Sequence, residues 1–265
     1  SGLIAPDELA DLRRGMSADQ FAQEFECDFD AAILGAYFGK EIAAAEREGR
    51  ICDVPYEPEL PVHTAWDLGI GDSTAIWFFQ VGYNEVRVID HYENHGQALP
   101  HYASVLASKP YRYGDDYVPH DARVRELGTG RTRVETLVAL GRKPKLVPDH
   151  KIGDGIEAAR MTLPSCWFDA VKCRAGVDAL RQYQKDYDEK KRDFRDVPRH
   201  DWTSHTADAF RYLSMAWRAL AVRPGPPPPP KQLVVNAKNN PGSVQATFND
   251  IVGPLGSRTR EDERV

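Results

Sequence analysis

The sequence predicts an α/β domain with a mixed sheet covered by helices, and three observations predict it. Apolar runs with alternating polarity crowd together over residues 62–68, 74–82 and 85–93, which reads as an antiparallel meander of three strands. Helical and extended patterns alternate after that, as they do where parallel strands are joined by helices. Finally, 42% apolar and 10% aromatic content over 265 residues is enough for a sizeable core.

The elements follow in order. Residues 7–28 look helical in pieces, with Ser17 resembling a helix start and Phe21 and Phe25 spaced by one turn. An Ala-rich charged helix over 38–49 closes on Gly49. Pro55, Pro58 and Pro61 make a rigid extended connector that reads as a boundary. Residues 1–60 are therefore expected to be a helical segment and linker, with the main domain over 61–222. After the meander come a helix over 97–107, a strand over 116–121, a helix over 131–140 and a strand over 143–149. A helix over 153–162, an apolar piece beginning at Cys166, and helices over 174–191 and 203–221 complete it. Pro224, Gly225 and Pro226 to Pro230 open a polar tail, 223–265, expected to have little fixed structure.

Composition narrows the function classes. No run approaches eighteen apolar residues and no basic-then-apolar leader opens the chain, so neither a membrane span nor a signal peptide is expected, and the setting reads as cytoplasmic. Ser1-Gly2 looks like the remnant of a protease cut, which would make the chain part of a longer protein. Cys27, Cys52, Cys166 and Cys173 form no CxxC pair and are expected to be reduced. Net charge is −6, yet Arg123, Arg125, Arg131, Arg133, Arg142, Lys143 and Lys145 face only Glu126 and Glu135, seven bases against two acids and a local +5. That strip reads either as a solvated face or as a surface for phosphates.

Three acids stand where apolar residues are expected. Asp67 ends the first strand of the meander, and Asp121 follows a short apolar strand. Asp208 lies on a mostly buried helix, about 60° from a narrow polar stripe of Arg211, Ser214 and Arg218 and on the side of Tyr212 and Met215. Each acid has a plain reading alone: a turn cap, a helix cap, a partner for an arginine. Taken together they suggest one site, because converging carboxylates stay ionised only around a cation, and an all-oxygen set selects Mg²⁺ or Mn²⁺ over zinc. Oxygen-ligated metals beside a basic strip are the ingredients of phosphodiester hydrolysis. The loop Gly128-Thr129-Gly130-Arg131 suits an approach to phosphate.

The order "WDLGIGDST", "PHDA" and "SHTADAFRYL" resembles the nuclease domain of tailed-phage terminase large subunits, and "FAQEFECDF" with "GAYFG" resembles the segment that joins the family's ATPase domain to it. The resemblance spans about residues 17–220. It implies an RNase H-like fold, double-stranded DNA as substrate, and cutting of viral concatemers during packaging in the host cytoplasm. It implies Asp67, Asp121 and Asp208 as ligands of two divalent ions, Mg²⁺ or Mn²⁺. Asp72 matches an acid often found after the first motif and is either a further ligand or a turn former. Arg123, Arg125, Arg131 and Arg133 would hold DNA, and His120, Asp201 and His205 flank the motifs as residues that tune them or simply pack. His91 and His95 lack zinc-ligand companions and read as surface residues. Implied partners are the portal or procapsid, the terminase small subunit and an ATPase motor on the full-length chain, since no GxxxxGK[ST] motif occurs here. Two other functions compete: a structure-selective resolvase of Holliday-junction type, and a non-catalytic DNA- or portal-binding module.

Overall fold

Alternation along Ser73–Val81 sends Ala75, Trp77, Phe79 and Val81 to one face and Ile76 and Phe78 to the other, and both sets are buried. A strand that is apolar on both faces belongs at the centre of a covered sheet. The computed structural model describes residues 35–69, 72–125 and 130–220. The helical pieces expected over 7–28, residues 128 and 129 of the Gly-rich loop and the Pro-rich tail over 223–265 lie outside the described residues.

Within them the chain runs α1 (Gly39–Arg47), β1 (Ile51–Cys52), β2 (Val62–Asp67), β3 (Ser73–Val81), β4 (Val86–His95), α2 (Leu99–Ser108), β5 (Tyr113–Val118), α3 (Arg133–Ala139), β6 (Pro144–Leu146), α4 (Ile152–Thr162), β7 (Cys166–Asp169), α5 (Arg174–Gln182), β8 (Lys185–Asp188), β9 (Asp193–Pro198) and α6 (Ser204–Leu220). A 3₁₀ turn, His120–Arg123, follows β5. Seven strands form one sheet in the order β1-β7-β4-β3-β2-β5-β6. The meander β2-β3-β4 is antiparallel, and β5, β6, β7 and β1 join it in parallel, so the expected mixed sheet is present.

Each face has its own core. Residues of α1, α4, α5 and α6, among them Ile42, Ile156, Leu180 and Phe210, pack with Phe38 on Ala65, Trp77 and Phe79. On the other face Tyr102 and Leu106 of α2 and Leu137 of α3 pack on Val62, Trp66, Ile76 and Phe78. The segment expected to precede the domain thus contributes helix α1 to the core and β1 to the edge of the sheet. Among the described residues, no helix is long and apolar enough to cross a membrane.

Two local expectations are corrected. The helix expected over 174–191 stops at Gln182, and the antiparallel hairpin β8-β9 follows. Its charges are spent on the turn rather than on a helical face: Asp188 accepts the Lys190 and Lys191 backbone N–H groups and the Arg195 guanidinium. The polar stripe of α6 is buried with the rest of that helix, as Arg211 and Ser214 are each only 4% exposed. Finally, the basic window is not a continuous open strip. Arg142 is consumed by the buried Asp116, with contacts of 2.5 and 3.0 Å, and Lys145 pairs with Asp115.

Candidate functional site

Strands β2 and β5 are parallel neighbours, with Ala65 opposite Tyr117, so the chain leaves both at the same edge of the sheet. In such sheets the carboxyl ends of neighbouring strands are where sites form. His63, Ala65 and Asp67 alternate onto the face that α6 covers, and α6 packs on β2, β3 and β5. Asp67 ends β2 on that face, Asp121 lies in the turn after β5, and Asp208 lies one turn into α6.

The Tyr212 phenol on α6 reports on all three. Its pKa is pushed up by burial first and then by the negative charges of Asp67, Asp208 and Asp121. Burial likewise raises the Asp67 carboxyl above the usual range, with the Asp208 charge adding to it and the His205 hydrogen bond opposing it. Each carboxylate has a cationic partner. His205 Nδ1 lies 2.8 Å from Asp67 Oδ2, Arg211 Nη2 lies 2.6 Å from Asp208 Oδ1, and Arg133 Nη1 lies 3.9 Å from Asp121 Oδ2. Arg133 also donates to the Leu68 carbonyl, so one guanidinium ties the end of β2 to the turn after β5. His205 is thus the group that meets the acid at the end of β2.

The imidazole is shared between two acids, since Nε2 lies 2.9 Å from Asp72 Oδ2. The Asp67 hydrogen bond is the chief reason that the His205 pKa rises to about 9, with burial opposing and the charges of Asp67 and Asp72 assisting. Asp72 is a turn former that also faces two histidines. Its Oδ1 accepts the Ser73 N–H at 3.0 Å, as a turn former does, while its Oδ2 faces His205 and, at 3.5 Å, His200 Nε2. Gly69 lets this loop fold back: a Cβ there would come within 2.4 Å of the Ser73 carbonyl oxygen.

The remaining candidates have other contacts or are exposed. Asp201 accepts the Thr203 N–H and hydroxyl and so holds the turn leading into α6. His120 is 43% exposed and lies 3.6 Å from Asp149. Arg123 and Arg131 are exposed, and Arg125 donates to the Gly130 carbonyl beside Glu135.

His91 is not a surface residue. Its ring packs on Trp77 with centroids 4.5 Å apart, and burial pulls its pKa down to about 4. The reason is a bulge in β4: the pairing with β3 shifts between Phe78 and Phe79, so His91 and Glu93 swing onto the α6 face with Trp77 and Ala75. There the Thr206 hydroxyl donates to Glu93 Oε2 at 2.9 Å and lies 3.0 Å from His91 Nε2. Sequence reasoning misses Glu93 and Arg211 as site residues. Arg211 stands one helical turn after Asp208, a spacing that is legible; the bulge that aims Glu93 is not.

This architecture is known in solved structures. The ADP-bound large terminase of a thermophilic bacteriophage superposes with a TM-score of 0.53 at 14% identity, covering 80% of this chain. The fold is similar to that of part of a phage large terminase. The same phage's enzyme in complex with ATP-γ-S gives a TM-score of 0.52 at 15% identity, covering 66% of this chain and 44% of that one. The nuclease domain of the phage P22 large terminase is less similar, at a TM-score of 0.48 and 18% identity over 64% of this chain and 89% of that one. The chain spans about half the length of the thermophilic phage's terminase, 52% for the ADP-bound form. No protein-family model and no curated protein matches the sequence.

Proposed function

We propose that this chain is a metal-dependent DNA endonuclease of the terminase type, and what supports the reading is that Asp67 ends β2, Asp121 follows the neighbouring parallel strand β5 and Asp208 lies on α6, which packs across both. The donor set fits a hard divalent ion. The Asp208 charge adds to the cost of ionising the buried Asp67, and an all-oxygen set suits Mg²⁺ or Mn²⁺. Asp67, Asp121 and Asp208 would hold the ions, two being expected. Bound there, such ions supply an activated water and stabilise the departing oxygen of a phosphodiester.

The chain's own groups prepare that chemistry. Arg211 and Arg133 hold Asp208 and Asp121 in position, and the His205 proton holds Asp67 to the loop of Asp72. Arg123, Arg125, Arg131 and Arg133, which run from the turn that carries Asp121 to the start of α3, would contact backbone phosphates without reading bases. Duplex DNA is the substrate on this reading, and concatemer cutting during phage packaging in the host cytoplasm is the setting. The ATPase motor on a longer chain, the portal or procapsid and the small subunit are its partners.

The test is plasmid nicking with Mn²⁺. Asp67→Asn and Asp208→Asn are expected to lower the rate by at least about a hundredfold, the scale on which losing a group that stabilises the transition state is felt, with an unchanged circular dichroism spectrum. Nicking at the parental rate by both folded variants would end the proposal.

A further inference from the structure

Beside the three acids stands a group of different chemistry. Asp72, His200 and His205 each offer one ligand atom, and these atoms lie within 4.8 Å of one another. The individual spacings are 2.9 Å from Asp72 Oδ2 to His205 Nε2 and 3.5 Å from Asp72 Oδ2 to His200 Nε2. Donors on a tetrahedral ion with bonds of about 2.0–2.1 Å are about 3.3 Å apart, so small side-chain adjustments would complete the set.

Two further contacts make this more than a chance meeting of exposed side chains. His205 turns its other nitrogen, Nδ1, to Asp67 Oδ2 at 2.8 Å, which fixes the ring and leaves Nε2 toward Asp72 and His200. A carboxylate behind a ligating imidazole is the usual support of a metal site. Asp72 is anchored by its own second oxygen on the Ser73 N–H, and the Gly69 close approach holds that loop in place. The ring of His200 stands 5.8 Å from that of His205, at 83° to it. His200 is 76% exposed and His205 13%, so one ligand is preset and the other arrives from solvent.

We propose that Asp72, His200 and His205 form a second cation site, distinct from the three-acid cluster and selective for a transition ion of the zinc class. Two imidazoles and one carboxylate favour Zn²⁺ or Co²⁺, whereas Mg²⁺ prefers oxygen donors and retains its water. Three protein ligands leave a coordination position for solvent or for a phosphate oxygen. Asp67 belongs to both groups through different roles: it orients His205 here and is a ligand in the nuclease reading. The zinc-site proposal does not depend on that reading.

The experiment uses the whole chain, stripped of metal by chelation and titrated with Zn²⁺ by calorimetry in millimolar Mg²⁺, with Co²⁺ visible absorption as a second readout. One Zn²⁺ is expected to bind in the presence of Mg²⁺, and Co²⁺ to give a ligand-field band. His200→Ala, a change at an exposed side chain, should weaken Zn²⁺ at least tenfold and abolish the band, while Asp121→Asn should leave both. Equal Zn²⁺ affinity in His200→Ala and the parent would overturn the proposal, as would loss of the site in folded Asp121→Asn. Nicking with Mn²⁺ reads the three acids separately, so failure of one reading leaves the other standing.

Discussion

His91 shows how one side chain can carry a pH dependence. Packed against Trp77 and the first turn of α6, it stays neutral in the fold until about pH 4, whereas an unfolded imidazole protonates near 6.5. The folded form is the one that resists the proton, so stability from this residue is complete above about pH 6.5 and is lost as pH falls toward 4. The urea midpoint is expected to fall between about pH 7 and about pH 4.5, and less steeply in His91→Gln. Nuclear magnetic resonance of the His91 ring should show no titration above about pH 5; a midpoint near 6.5 would contradict its burial. Legibility at this scale is uneven. Asp67, Asp121 and Asp208 stand out because each interrupts an apolar pattern, and His205 lies three residues before Asp208 on the same helical side. That His205 faces both Asp67 and Asp72 depends on a contact 138 positions away, which no local spacing encodes.

Among the elements, α5 is seated by a glycine. A Cβ on Gly176 would lie 2.3 Å from the fully buried Trp77 ring and 2.9 Å from His91, so the helix reaches β3 and β4 only because that atom is missing. Gly176→Ala gains about 1 kcal/mol of helix propensity and loses about 1–3 kcal/mol to overpacking. The clash falls on two rings that are themselves packed, so the loss should win, by up to about 2 kcal/mol in chemical denaturation. An unchanged or higher midpoint would show that α5 can slide. The strands of the meander and helices α2, α3, α4 and α6 are legible from periodicity within a few residues. The hairpin β8-β9 is not, because "KDYDEKKRDFRDVP" has helix-like charge spacing and few apolar residues to mark alternation. Strand β1 is hidden for another reason: two residues carry no period, and pairing with β7 alone makes them a strand.

On the scale of the whole domain, the sheet and α6 gather negative charge at one edge, and a ligand that relieves it should stabilise the fold. If Mg²⁺ binds the folded chain alone, at about one hundred times its dissociation constant it adds about 2.7 kcal/mol. The melting temperature is therefore expected to rise with Mg²⁺ and to do so far less in Asp208→Asn. Equal shifts in both would mean that Asp208 does not hold the ion.

By itself the sequence determined the mixed α/β class, the order of most elements, the acids that break apolar patterns and the absence of a Walker-type phosphate loop. These are local properties, written in side-chain period and spacing. Only the tertiary structure decided which partners the acids have, that His91 and Glu93 turn onto the α6 face, and that two histidines meet Asp72. Those outcomes rest on strand register, a bulge and the seating of α6, and a shift of a single residue in register moves a side chain to the opposite face of the sheet.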